Sequence, residues 1–233
     1  MSTPWVENAI TSIDWNKIVS ESMANKKQIS VLESELEILQ YWLRELINFH
    51  SKNRALPFLY EGHSSINDFS CAISLGLYKL SASSIRTILE AFLNFSYYKD
   101  HSVELTTLVK NNSFYLGKKD IIEYHKLHTL LFNERSEQLN TVDLLNKLYK
   151  EVSQIIHGQV PGKWNNCSKL DETSYQSEML DATITMFSRL VKIINIFLIS
   201  SLSDEEWNSL NVRSKSLFLK GLTSEKKLKL QRN

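Results

Sequence analysis

The sequence predicts an all-α fold, a single multi-helix bundle with a long N-terminal heptad helix and a short basic C-terminal helical tail. Three observations predict it. Apolar residues recur at spacings of three and four along most of the chain. Only 6 Gly and 3 Pro occur in 233 residues, too few for the tight turns of an all-β protein. No strand-like alternation runs beyond four residues. Hydrophobic residues at 42% supply a core, and 23% charged residues is ordinary for a soluble globular chain. The pattern divides into an N-terminal helical arm (1–60), a bundle core (61–202), and short helices with a basic tail (203–233).

Each element has its own signal. Residues 5–23 carry a weak, short helical pattern. From Lys26 to His50, Ile29, Leu32, Leu36, Leu39, Leu43 and Leu46 form an unbroken a/d seam. Such a seam suits a partner helix of this chain or of a second copy, and is the expected place for self-association. Ser51 to Pro57 breaks the helix. Ile66, Phe69, Ile73, Leu77 and Leu80 then define a second stripe. Ser81–Ser84 reads as a tight connection or a close helix contact. Ile85, Ile88, Leu89, Phe92 and Phe95 span a wide arc, so the helix at 85–98 is expected to be central.

Residues 110–119 are loop-like. Helical spacing resumes at Asp120 through Ile121, Ile122, Tyr124, Leu127, Leu130 and Leu131, and 133–140 reads as a polar connection. Thr141 is the expected N-cap of a helix to His157, which Gly158 terminates and Pro161-Gly162 keeps terminated. Residues 159–172 form a longer loop with Trp164. The last long helix spans about 175–202. Ser203-Asp-Glu-Glu206 is a capping box that starts a short helix at Asp204. One more small helix is expected to end near Gly221.

Composition excludes several function classes. There is no GxxxxGK[ST], GxGxxG, GxSxG or HExxH motif. Cys71 and Cys167 form no CxxC pair, and Cys71 reads as a small buried hydrophobe. No cofactor is indicated. Asp120, Glu123, His125 and His128 do not place three metal ligands on one face and read as surface polarity. The N-terminus lacks a signal-peptide pattern, and Leu190–Leu202 is short for a bilayer span, so a cytoplasmic protein with no membrane partner is expected. Net charge is +1, yet 212–233 holds seven basic residues against Glu225 alone, a net +6 that leaves −5 on the rest. Such a tail binds nucleic acid or an acidic partner, or is a solvated and partly frayed terminus.

Candidate chemistry lies on two polar strips. Arg86 and Glu90 are four residues apart, with Tyr97 in the same strip, beside an apolar arc. The pair faces a cleft or covers a helix rim as an ion pair. Tyr149, Ser153 and His157 follow at spacings of four, with His157 in the last helical turn, where it acts as acid or base or caps the helix. Ser153 with His157 has no accompanying elbow or oxyanion hole, so a hydrolase pair is not indicated. Arg44-Glu-Leu-Ile-Asn-Phe-His50 is an Arg-x5-His string, of which this composition yields about half a match by chance.

Two segments carry a family resemblance. The run from Ser74 to Tyr98, with its small residues and then Arg86-Thr-Ile-Leu-Glu90, resembles uncharacterised bacterial HEPN-like helical proteins. Leu148-Tyr-Lys-Glu-Val-Ser-Gln-Ile-Ile-His-Gly158 resembles their later "Leu-Tyr-x-x-x-Ser-x-x-x-His-Gly" segment. The resemblance covers about 65–200. It implies a HEPN-like bundle core and a setting in antiviral defence or toxin–antitoxin systems. It also implies frequent homodimerisation and, in active members, metal-independent RNA cleavage. Arg86, Glu90, Tyr149, Ser153 and His157 match its polar positions. The family's ribonuclease motif puts Arg five to seven residues before its His, where this chain has Val152, Glu151 and Lys150. Lys150 offers charge without the guanidinium fork.

Two functions follow. One is a non-catalytic interaction or nucleic-acid-binding subunit. Its partners are a second copy or another protein on helical surfaces, and RNA or other nucleic acid. The alternative is a metal-independent endoribonuclease: His157 as general base, Arg86 stabilising phosphate charge, Glu90 orienting Arg86, and Tyr97, Tyr149, Lys150 and Ser153 contacting substrate.

Overall fold

A computed structural model describes residues 4–160, 164, 169–230 and 232, and these form helices without any strand. Residues 5–23 make two short helices, α1 (Trp5–Ser12) and α2 (Trp15–Ser22), the second capped by Asp14, whose carboxylate accepts from Lys17 N. The seam helix is α3 (Lys26–Phe49), with Asn25 as its cap. Leu32, Leu39, Leu43 and Leu46 of the seam are buried, joined by Trp42. They pack chiefly on α10 (Ser177–Ser201), with α4 (Leu56–Ser74) alongside. Four of the six seam residues are thus buried within the chain, while Ile29 and Leu36 are half-buried.

α4 starts with Pro57 in its first turn, and α5 (Tyr78–Tyr98) returns against it. Two expectations need correction here. The stripe through Leu77 and Leu80 does not continue one helix, because Gly76 turns the chain at φ +71°. Leu80 is consequently exposed. Ser81–Ser84 lies inside α5, the close helix contact that is one of its two readings. Small residues bring the two helices together: a Cβ at Gly62 would sit 3.4 Å from Ala91 Cβ. Cys71, expected to be buried, is exposed on α4.

α6 (Ser102–Lys110) and α7 (Lys118–His128) follow. α7 begins before Asp120, whose carboxylate accepts from Gly117 N at 3.0 Å and caps it. Leu127 and Leu130, which continue the helical spacing, are both exposed, Leu127 within α7 and Leu130 beyond its end at His128. The expected connection at 133–140 is a helix, α8 (Phe132–Leu139). Leu131 and Asn140 bound it, both with left-handed backbone at φ 60° and 55°. Its polar sequence hid a buried Arg135.

α9 (Thr141–Ile156) ends as expected at Gly158, with φ +66°. Gln159 N donates to Gln154 O and Gly158 N to Ile155 O, which is a Schellman closure. The helix cap is Asn140, not Thr141. Pro161, Gly162 and Cys167 lie outside the described residues. A short 3-10 turn at Leu170–Glu172 precedes α10.

α10 is buried around most of its circumference, from Leu180 through Phe197, and shares the centre of the bundle with α5. Among the described residues it is the one helix long and apolar enough to cross a membrane, and 67% of that stretch is buried inside the protein. Its apolar surface meets α3, α5, α8 and α9. Phe187 stacks on Phe69 of α4 at 4.1 Å between ring centroids.

The C-terminus completes the core. α11 (Asp204–Ser209) opens on the expected capping box, with Ser203 Oγ accepting from Glu206 N and Glu206 Oε2 accepting from Ser203 N. α12 (Val212–Phe218) carries Phe218 onto Trp42, with ring centroids 3.6 Å apart. Asn195, a polar break in the α10 pattern, links the two: Oδ1 accepts from Trp42 Nε1 at 2.9 Å and Nδ2 donates to Phe218 O at 2.8 Å. α13 (Ser224–Lys229), not anticipated from the sequence, delivers buried Leu230 and Arg232. The tail is therefore anchored at Leu230 and Arg232. One hydrophobic core runs from Leu32 to Leu230 without a break near residue 60 or 202.

Replacing Phe218 by Ala opens a cavity against Trp42 and is expected to cost about 3–5 kcal/mol in urea denaturation. Leu228→Ala, at an exposed position on α13, should change stability by about 0.5 kcal/mol or less.

Candidate functional site

The α5–α9 interface unites part of the two polar strips. Arg86 Nε donates to Glu90 Oε1 at 2.9 Å, and Arg86 Nη2 donates to the Tyr149 hydroxyl at 2.9 Å. That hydroxyl donates on to Glu90 Oε1 at 2.8 Å, closing a triangle. Burial opposes the charge on Arg86, but Glu90 and Tyr149 more than offset it and its pKa is raised. Burial and then Glu90 push the Tyr149 phenol up to about 12. It stays protonated, as its donor role requires.

Lys118 is a member of this site that sequence reasoning missed. Its Nζ lies 4.6 Å from the Tyr149 ring centroid, and the Arg86 guanidinium lies 4.9 Å from it. Lys118 Nζ also donates to Asn146, and burial lowers its pKa. Its signal in the sequence was slight, since it stands at the end of a polar loop.

The remaining candidates lie elsewhere. Ser153 sits one turn beyond Tyr149, and its buried Oγ has no hydrogen-bond partner among the described residues. His157, at the helix end, is exposed. Eight residues of helix place it about 12 Å along the axis from Tyr149, so Arg86 and His157 do not meet in one contact. Lys150 is exposed. Tyr97 stacks on His101 at 3.9 Å and meets Tyr124 edge-on, in an aromatic cluster at the end of α5.

A second polar centre joins the ends of α3, α5 and α11. The Glu206 side chain is 6% exposed, and its Oε1 accepts from His50 Nε2 at 2.8 Å and Lys99 Nζ at 3.0 Å. Burial disfavours its charge, yet His50 and Lys99 hold its pKa down at about 2. Arg44, the other half of the Arg-x5-His string, instead contacts Glu45 and Ser214. The string thus serves two structural contacts. The sequence marked Glu206 only as a cap and gave no sign of Lys99.

His125, read as surface polarity, is buried beside this centre. Ser96 Oγ donates to Leu93 O, so His125 Nε2 donates to Ser96 and its Nδ1 accepts from Thr129. Burial, then the nearby Lys99, lowers its pKa to about 3, and the ring is neutral. Among the described residues no group of three His, Cys, Asp or Glu side chains is placed to hold a metal. Comparison with protein-family models, with curated proteins and with solved structures finds no match to this chain.

Both buried groups have folded-state pKa values below their unfolded ones. Their stabilisation is present above the unfolded pKa and lost as pH falls through the folded one. His125 therefore erodes stability from about pH 6.5 down to about 3, and Glu206 from about 4.5 to about 2. Denaturation measured at stepped pH should show stability dropping already below pH 6.5, with that first portion flattened in His125→Asn. Glu206→Gln should cost about 3 kcal/mol at pH 7 by stranding buried Lys99. Tyr149→Phe should cost about 1 kcal/mol with the helical circular dichroism retained.

Proposed function

We propose that this chain is a non-catalytic HEPN-like helical subunit of a bacterial antiviral-defence or toxin–antitoxin system. In this reading it binds RNA or another nucleic acid through its C-terminal basic surface. The observation that carries the reading is the groove beside α12 and α13. It has a volume of about 870 Å³ and is lined by Arg213, Lys220 and Lys227, with Glu37 opposite. Arg213 is 77% exposed and reaches Glu37 only at 3.8 Å, so its charge remains available to a phosphate backbone. Anchoring by Phe218, Leu230 and Arg232 holds these cations in place, which lowers the ordering cost of binding. At the other strip, Arg86 is already engaged by Glu90 and Tyr149. That arrangement suits a packing network better than a phosphate-stabilising group.

One observation favours the endoribonuclease reading. Between Tyr149 and His157 in the α9 strip, the buried Ser153 hydroxyl has no partner among the described residues, a donor that no packing contact there uses. Incubation of purified protein with cellular RNA in EDTA separates the readings. Cleavage by wild type that disappears in His157→Ala supports the enzyme, and intact RNA supports the binding subunit.

Binding is measured by fluorescence anisotropy with single-stranded RNA across a salt series. The variant Arg213→Glu/Lys220→Glu/Lys227→Glu should bind more weakly and lower the log–log salt slope by about 2, near 0.7 per lost phosphate contact. An unchanged slope would remove this groove as the nucleic-acid surface.

A further inference from the structure

A second cavity, of about 310 Å³, opens beside the Glu206 centre and is lined by Lys99, Asp100, Tyr124, His128, Arg135 and Ser201, with residues 129, 130 and 202–204 completing it. It shares no residue with the basic groove. One buried polar side chain in its wall lacks a partner among the described residues, and a second is only partly met. Ser201 is 4% exposed and its Oγ makes no hydrogen bond among the described residues. Arg135 is 3% exposed, and Nε alone has a hydrogen bond, to Leu230 O at 3.0 Å. Its Nη2 lies 3.5 Å from Asp204 Oδ1, too long for a good charge-assisted bond.

The acids in the wall are already served. Asp204 is 66% exposed and takes Arg232 Nη1 at 2.8 Å. Asp100 takes Lys99 Nζ at 2.9 Å, and Lys99 also answers Glu206. Arg135 thus shares the Asp204 carboxylate with Arg232 at the longer of the two distances, and burial outweighs Asp204 and Glu134 in lowering its pKa. A buried guanidinium in this condition calls for an anion with paired acceptors. The Tyr124 and His128 rings, with centroids 5.2 Å apart and planes tilted by 35°, add aromatic surface to the same cavity.

We propose that this cavity is a binding site for a small phosphate monoester, its oxyanion held by Arg135 and the Ser201 hydroxyl and its organic part lying against Tyr124 and His128. The phosphate oxygens complete the open donors of Arg135, and the Ser201 hydroxyl donates to a third oxygen. The volume suits a ligand of nucleoside-monophosphate size, at the small end of ligand cavities.

Isothermal titration of the full chain tests this with inorganic phosphate and with adenosine 5′-monophosphate. Both should bind the wild type, and Ser201→Ala should weaken each about tenfold, the loss of one hydrogen bond to a charged group. Because that hydroxyl has no partner, Ser201→Ala should leave the ligand-free melting temperature unchanged, which separates a lost ligand contact from a damaged fold. Arg135→Lys keeps the charge, loses the fork, and should weaken binding similarly. Tighter binding of the nucleotide than of phosphate, reversed by Tyr124→Ala, supports the aromatic wall; equal affinities overturn that part and leave a phosphate site. No binding of either probe at about 10 mM, or binding indifferent to both Ser201→Ala and Arg135→Lys, overturns the proposal.

Discussion

The Glu206 carboxylate holds the architecture at its most demanding point. It is buried and charged, and it has partners from two other helix ends, His50 after α3 and Lys99 after α5. A buried carboxylate is tolerated only when such partners meet it with good geometry. The arrangement therefore requires α3, α5 and α11 to end at one place. Glu206 Oε2 meanwhile caps α11, so the same side chain starts one helix and ties together two others. His125 lies close by and is held neutral, which keeps a further positive charge away from Lys99.

From that junction the bundle is organised by α10. Its buried faces receive α3, α5, α8 and α9, and its polar interruption at Asn195 is turned to use by Trp42 and Phe218. Arg232 then closes the carboxyl end of α10, donating to the carbonyls of Ile199 and Leu202 while pairing with Asp204. Cations at a helix C-terminus are favoured by its dipole and unpaired carbonyls. The basic tail is thereby divided. Arg232 is structural, whereas Arg213, Lys220 and Lys227 remain at a groove. Burying Phe218 and Leu230 sets where those three charges stand.

The Arg86 triangle and the cavity beside the Glu206 centre differ in how fully their polar groups are met. In the Arg86–Glu90–Tyr149 triangle each main donor and acceptor is met within the protein, with Lys118 on the same phenol ring. Arg135 and Ser201 line a cavity, where the Ser201 hydroxyl has no partner among the described residues and Arg135 is only partly met. Side chains whose bonds are already made hold helices together; buried donors left open mark where a ligand completes the set.

Local chemistry alone determined much of this protein. The α3 seam, the capping box at Ser203, the Gly158 stop and the pairing of Arg86 with Glu90 all act over three or four residues, and each was legible in the sequence. So was the polar strip of Tyr149, Ser153 and His157, because helical periodicity places those residues on one face. What the seam would pack against was not legible, since one apolar stripe fits any other of similar width. Leu77 and Leu80 fitted the periodicity of α4 until the left-handed turn at Gly76 interrupted it. Arg135, His125 and Arg232 read as surface residues because their partners stand far away in sequence: Leu230, Ser96 and Asp204. The tertiary structure alone decided which strips met. It brought Arg86 to Tyr149, left His157 about two turns away, and assembled Lys99, Arg135 and Ser201 around a cavity that no local pattern announced.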